Sequence, residues 1–349
     1  GRSHGRSLRA IKSRSVRRVG TTVCVVGAGS WGTTVAALIA QNTSTTLWAR
    51  RQALADEIND RHTNSAYLGD HLLPSSLHAS HDMGKLIGEA DIVAMAVPSQ
   101  GFRAVATEVQ RHVRAGVPVI SLSKGLESTS FLRMSEVLQQ AIPGSPIAAL
   151  SGPNLAREIL VGQPAASVVA CTDEAVAREI ADLIARPTFR LYTNTDIVGC
   201  EIGGVVKNVI AIAAGIAQGF GFGDNTKATL VTRGLAEMSR LGVALGANAL
   251  TFAGLAGMGD IMATCASAQS RNTQVGMRLG KGELIADIVQ SMNMVAEGVK
   301  SSSSVVQLAR SRGVEMPIAE QVAAVCDGSQ TAEQALRSLM SRSSRSEFD

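Results

Sequence analysis

The segment Gly27-Ala-Gly-Ser-Trp-Gly-Thr33 constrains this chain more than any other. The β-rich apolar run 22–26 feeds into Gly-x-Gly-x-x-Gly, and an Ala-rich helical pattern over 31–41 takes over. A helix that starts at such a turn points unpaired N–H groups, and the positive end of its dipole, at whatever sits above it. Gly27 allows the sharp turn, Gly29 lets backbone approach a phosphate without a Cβ in the way, and Gly32 lets the helix pack close to its strand. The spacing predicts a strand–turn–helix unit that cradles the pyrophosphate of a dinucleotide. The plain alternative is a glycine-rich turn with no ligand.

The rest of the first half supports a sheet. Runs at 22–26, 44–48, 92–97, 117–121, 147–151 and 167–170 are rich in Val, Ile and Leu without clean alternation, as expected of strands covered on both faces. Helical patterns such as 31–41 and 102–113 lie between them. The series predicts an α/β fold: an N-terminal Rossmann-type doubly wound sheet. Beyond Asp196 no strand is expected. Helices are predicted over 201–218, 228–245, 251–264, 270–279, 301–310, 317–326 and 331–340, which makes an all-α C-terminal domain. The expected division is a disordered basic leader at 1–20, a dinucleotide-binding domain at 21–195, a helical catalytic domain at 196–340 and a frayed tail at 341–349.

Composition narrows the class. The 349 residues are 45% hydrophobic, 18% charged and only 3% aromatic, so small aliphatic side chains must fill the core. The net charge of +4 is carried by the first 20 residues, which hold seven Lys and Arg and no acid. The remainder is mildly acidic, which argues against nucleic-acid binding. No uninterrupted apolar run reaches membrane-spanning length, so no stable membrane insertion is expected. Five scattered cysteines without a Cys-x-x-Cys pair suit a reduced, cytoplasmic chain. The six histidines lack zinc-ligand spacing, and no metal site is expected.

The place where an NAD site carries an acid, about 20 residues past the glycines, reads Leu47-Trp-Ala-Arg-Arg51. Guanidinium groups at Arg50 and Arg51 suit a 2′-phosphate, so NADPH is favoured over NADH. In the second half, Lys207 and Asn208 interrupt a nearly all-apolar helix. A buried ammonium is costly unless paired or catalytic, although Lys207 could also reach solvent from its helix. Lys124 stands at the end of a predicted strand, where parallel sheets place their ligands. Ser151-Gly-Pro-Asn154 forms a rigid turn at the same edge. Asp260 with Thr264, and Ser270-Arg-Asn272 opening a helix, add a carboxylate and a clamp for phosphate or carboxylate.

Taken together these stretches are recognisable. The chain resembles the bacterial NAD(P)-dependent glycerol-3-phosphate dehydrogenases over residues 22–330. The resemblance rests on the glycine turn, Ser123-Lys-Gly-Leu-Glu127, Ser151-Gly-Pro153, Gly203-Gly-Val-Val-Lys-Asn-Val-Ile-Ala-Ile-Ala-Ala-Gly215 and Thr232-Arg-Gly-Leu-Ala-Glu-Met238. It continues through Gly254-Leu-Ala-Gly-Met-Gly-Asp260, Ser270-Arg-Asn272, Val295-Ala-Glu-Gly298 and Val314-Glu-Met-Pro-Ile318. It implies interconversion of dihydroxyacetone phosphate and sn-glycerol 3-phosphate for phospholipid synthesis, with NADPH or NADH, in a cytoplasmic protein that is expected to be a homodimer. Lys207 matches the family's proton acceptor, and Lys124 and Asp260 the other catalytic positions. Gly152, Asn154, Asn208, Thr264, Ser270, Arg271 and Asn272 fall on the substrate side. Gly27, Gly29, Ser30, Trp31, Gly32, Arg50, Arg51, Ala156, Val295 and Glu297, with Lys124 and Arg271, fall on the cofactor side. Asn154 and Ala296 depart from the residues common in the family, Thr and Val. A β-hydroxyacid dehydrogenase of similar architecture, or a nucleotide sensor without turnover, are the competing expectations.

Overall fold

The computed structural model describes residues 20–267, 269–292 and 296–343. Eight strands form one sheet: β1 (Thr22–Val26), β2 (Ser44–Trp48), β3 (Leu77–Ser80), β4 (Ile92–Met95), β5 (Val119–Ser121), β6 (Ile147–Ser151), β7 (Ala165–Cys171) and β8 (Phe189–Asn194). Their order is β3-β2-β1-β4-β5-β6-β7-β8. The first six are parallel, in the doubly wound order whose direction reverses beside β1. β7 runs antiparallel to β6 and β8 pairs parallel with β7, so the sheet is mixed at this end.

Helices cover both faces of the sheet: α1 (Ser30–Ile39), α2 (Gln52–Arg61), α3 (Ser65–Leu68), α4 (Met83–Glu89), α5 (Phe102–Gln110), α6 (Met134–Ala141), α7 (Ala156–Leu160) and α8 (Glu174–Ile184). Cys24, Val26, Val93 and Met95 point into one buried cluster and Val23, Val25, Ile92 and Ala94 into another, which is why their runs show no polar alternation. Past Asp196 the described chain is helical: α9 (Ile197–Gly219), α10 (Asp224–Ala244), α11 (Ala249–Ala253), α12 (Asp260–Ala266), α13 (Arg271–Gly280), α14 (Ile285–Ser291), α15 (Glu297–Ser311), α16 (Pro317–Cys326) and α17 (Ala332–Met340).

α9 is the spine of this second part. It is long and apolar enough to cross a bilayer, but it is buried almost throughout by the helices around it. It meets α13 through four glycines. A β-carbon on Gly215 would lie 2.9 Å from the Gly276 Cα and 2.2 Å from the Thr273 carbonyl oxygen. Gly219 and Gly280 are matched in the same way one turn on, each with a β-carbon position within 3.0 Å of the other's Cα. No side chain separates the two backbones there. This is the close packing expected of a core with few aromatic residues.

Several elements differ from expectation. β3 and β8 emerge as strands of their own; both are partly exposed, with polar residues such as His78 and Arg190 among them. The helix expected over 251–264 is broken into α11, a π-helical turn at Leu255–Gly259, and α12. The helix expected from Ser301 begins four residues earlier, at Glu297. Residues 1–19 of the expected leader, 344–349 of the expected tail, and Val295 lie outside the described residues. All five cysteines are free.

Candidate active site

The glycine turn follows β1 at the switch point of the sheet. Gly27 has φ +117, and a β-carbon there would strike the Ala96 carbonyl oxygen at 2.5 Å. At Gly32 a β-carbon would come within 2.0 Å of the Gly27 carbonyl oxygen and 2.7 Å of the Ala96 Cβ. Gly29 has nothing within 4 Å: its missing side chain leaves the mouth of the turn open. Ser30 Oγ donates to the Tyr67 carbonyl at 3.2 Å. Asn64, fully buried, donates to the Ala28 carbonyl at 3.0 Å and to Thr33 Oγ1 at 2.8 Å, which holds the turn from below. Trp31 Nε1 and both amide atoms of Asn154 are buried with no hydrogen-bond partner among the described residues. A tight turn closed to side chains but open at its mouth, with the unpaired Trp31 N–H beside it, fits a dinucleotide. Arg50 and Arg51 follow β2 and are exposed. Ala156 opens α7, and its carbonyl accepts from Thr34 Oγ1 of α1 at 3.5 Å, so α7 adjoins the glycine-turn helix.

Two lysines converge on one carboxylate. Lys124, just after β5, donates to Asp260 Oδ2 at 2.6 Å and to the Gly152 carbonyl at 2.8 Å. Lys207, on α9, lies 3.0 Å from Asp260 Oδ1 and donates to Thr264 Oγ1 at 2.8 Å. Thr264 Oγ1 is in turn 3.2 Å from Asp260 Oδ1. Asp260 is 1% exposed. The π-helical turn before it ends α11 and restarts the helix at Asp260; such turns recur at functional sites. A continuous helix would carry Asp260 in a different direction.

Charge and burial pull against each other here. Burial alone would raise the Asp260 carboxyl, but the two ammonium groups outweigh it and hold it below the usual carboxylate range. Burial pushes Lys124 down to about 8, with Asp260 opposing and Lys207 adding to the fall.

Ser270 caps α13, its Oγ accepting from the Thr273 N–H at 3.2 Å and lying 2.9 Å from Thr273 Oγ1. Thr273 Oγ1 also reaches the Thr264 carbonyl at 2.9 Å, tying α13 to α12. Arg271 is the first residue of α13 and is exposed. Asn272 is buried between helices: its amide donates to Asn208 Oδ1 at 2.9 Å, and its oxygen accepts from the Gly298 N–H at 3.0 Å. Asn208 and Asn272 therefore brace α9, α13 and α15 as well as lying beside Lys207 and Arg271. Glu297 opens α15 and accepts from Ser99 Oγ at 2.8 Å, across to the loop after β4. Burial raises its carboxyl above the ordinary value. Gly152, with φ +132, sits within a β-carbon's reach of Ser167 Oγ and offers its carbonyl to Lys124.

Ser99, Thr273 and Glu201 contribute to this architecture and were not expected from the sequence. Glu201 alone carried a signal, an acid in the apolar segment that also holds Lys207. Among the described residues no three His, Cys, Asp or Glu side chains are grouped to hold a metal.

Comparison with known proteins places the chain. The model of the NAD-dependent glycerol-3-phosphate dehydrogenase N-terminus matches residues 22–177, and that of the C-terminus of the same enzyme matches residues 196–337. A glycerol-3-phosphate dehydrogenase [NAD(P)+] of Sphingopyxis alaskensis is 52% identical over 321 residues, covering 92% of this chain and 96% of that protein. One from Corynebacterium jeikeium is 50% identical over 329 residues, covering 93% and 99%. The crystal structure of glycerol-3-phosphate dehydrogenase from Coxiella burnetii superposes with a TM-score of 0.88 at 33% identity, covering 92% of this chain and 99% of that one.

Proposed function

The chain belongs to the NAD-dependent glycerol-3-phosphate dehydrogenase family, and from that membership we propose that it interconverts dihydroxyacetone phosphate and sn-glycerol 3-phosphate. The observation that carries the reading is the meeting of Lys124 and Lys207 on Asp260 at the end of the sheet where the glycine turn opens. The bound nicotinamide dinucleotide supplies the hydride in ketone reduction and accepts it in alcohol oxidation.

Lys207 gives a proton to the C2 oxygen during reduction and takes it back during oxidation. Lys124 stabilises negative charge as it develops on that oxygen. Asp260 holds both amines in place, so neither has to be ordered at the moment of reaction. Arg271 grips the substrate phosphate, and its binding energy positions the carbon that reacts. Asn208, Thr264, Ser270 and Asn272 line the substrate side, with Gly152 and Asn154 on the turn opposite. Gly27, Gly29, Ser30, Trp31 and Gly32, with Ala156 and Glu297, form the dinucleotide side. Arg50 and Arg51 take the 2′-phosphate, which makes NADPH the preferred coenzyme. The sheet-bearing residues 21–195 and the helical residues 196–340 act as separate domains around this cleft. The protein works as a cytoplasmic homodimer that supplies glycerol 3-phosphate for phospholipid synthesis.

The test is direct. Purified protein with dihydroxyacetone phosphate should consume NADPH, seen as loss of reduced-nicotinamide absorbance, and should consume NADH less efficiently. Coenzyme binding without turnover on this ketone would overturn the reading. A higher kcat/KM with NADH would overturn the roles of Arg50 and Arg51.

A further inference from the structure

On α9 the residues Glu201, Gly204 and Lys207 recur every three positions and so share one face of the helix. Gly204 is a point of close contact with the sheet edge. A β-carbon there would lie 3.0 Å from Ser151 Oγ and 3.3 Å from Cγ and Cδ of Lys124. The stem of Lys124 therefore lies directly against α9, between Glu201 on one side and Lys207 on the other. A small cavity lined by Ser123, Lys124, Ser151, Glu201 and Val205, among others, puts Lys124 and Glu201 on the walls of one space.

Glu201 is 7% exposed and its carboxylate is fully engaged. Oε1 accepts from the Ser135 N–H at 2.8 Å, and Oε2 from Ser135 Oγ at 2.5 Å and Arg133 Nη1 at 2.7 Å. Arg133 and Ser135 stand at the start of α6, so the carboxylate also sits at a helix N-terminus. They end the loop that Lys124 begins. Between them Leu126 packs into the core of the helical part and bridges back to Arg133. The loop is a closed bracket, with Lys124 at one end and a bolt to α9 at the other. Replacing a buried ion pair by apolar groups of like volume often costs little stability, so stability alone is a weak reason to bury this one.

We propose that Glu201, acting through Arg133 and Ser135, is a positioning residue that sets the register of Lys124 against Asp260 and Lys207. The role of Lys124 in turnover rests on the function proposed above; the register itself does not.

The test combines Glu201→Gln, Arg133→Met and the double variant in a cycle, with Ser135→Ala as a milder change should either single fail to fold. A misplaced Lys124 should lower kcat for ketone reduction about tenfold or more, since small displacements at a reacting centre are costly. Dissociation constants for NADPH should change less than kcat, because the glycine turn that holds the pyrophosphate does not move, and the double variant should be no worse than the singles, as expected for residues acting as one unit. A second readout needs no turnover. In protein with isotope-labelled lysine, Lys124 should titrate at about 8 in the parent. It should titrate higher in Ser135→Ala, which removes no charge, as loosening returns it to water. The ionisable groups facing it are Asp260 from α12 and Lys207 and Glu201 from α9. An unchanged Lys124 titration with only a lower thermal midpoint would overturn the proposal, as would additive losses of kcat. An inactive parent whose Lys124 titration still responds to Ser135→Ala would sink the proposed function and leave the clamp standing.

Discussion

The two parts of the cleft are built from opposite materials. The glycine turn works by what is missing: no Cβ fits at Gly27 or Gly32, and none obstructs Gly29. The amine cluster works by what is present: Lys124 from the sheet side meets Lys207 and Asp260 from the helical side, two ammonium groups and a carboxylate taken almost wholly out of water. A site of the first kind is bound up with the packing of its strand and helix. A site of the second kind can lose its function while the fold around it stands. The difference should be visible in which property fails first when each is altered.

The sharpest break is expected at Lys207. Lys207→Ala should reduce kcat by roughly a hundredfold or more, the scale of general acid–base catalysis, while NADPH binding measured by fluorescence titration stays near that of the parent. Parent-like turnover would place the proton elsewhere. Next comes Arg271→Ala, which should raise KM for dihydroxyacetone phosphate by about tenfold to a hundredfold, from the loss of hydrogen bonds to a charged group at about 1.5–3 kcal/mol. KM for the coenzyme should change much less; equal losses for both would make Arg271 a structural residue.

On the glycine side the comparison can be made within four residues. Gly32→Ala should lower stability to denaturant by about 1–3 kcal/mol, because its β-carbon overlaps backbone, and should weaken coenzyme binding as well. Gly29→Ala meets open space and should leave stability near that of the parent while weakening coenzyme binding alone. If both substitutions destabilise equally, the turn is not divided into a packed side and an open side.

The smallest effect concerns a buried acid away from the cleft. Glu237 accepts from the Ile318 and Ala319 N–H groups at the start of α16. Burial pushes its carboxyl up to about 7, although those N–H groups pull it down. Its native pKa is thus above its unfolded value of 4.5, so the native chain keeps a proton that the unfolded chain releases. Stability should therefore fall as pH rises through the window from 4.5 to about 7. Glu237→Gln should flatten that slope in denaturant titrations at several pH values and leave turnover unchanged.

The same contrast decides how much could be read in advance. The glycine turn occupies seven consecutive residues, so its chemistry and its place on a strand and a helix were legible together. The central strands themselves were legible as apolar runs covered on both faces. β3 and β8 were not singled out because half-exposed strands bearing His78 or Arg190 lack that signature. The amine cluster is different in kind. Lys124 and Asp260 are 136 positions apart, and Arg133 and Glu201 are 68 apart. Local pattern marked each lysine as an oddity, and resemblance to a family put both of them and Asp260 at catalytic positions, but neither said that the lysines meet on one carboxylate. Nor did apolar periodicity over 251–264 reveal the π-helical turn. Gly254, Gly257 and Gly259 were its only trace, and Gly257 alone shows the crowding, with a β-carbon position 2.2 Å from the Phe252 carbonyl oxygen.

The four glycines that join α9 to α13 carry a consequence for selectivity. Lys207 rides on the first helix and Arg271 opens the second, and backbones in direct contact cannot slide past one another without a clash. On the proposed roles, the gap between proton donor and phosphate grip is then a fixed calliper. It would admit a ketone one carbon from its phosphate-bearing carbon and turn away longer homologues by span, whatever their affinity for either jaw.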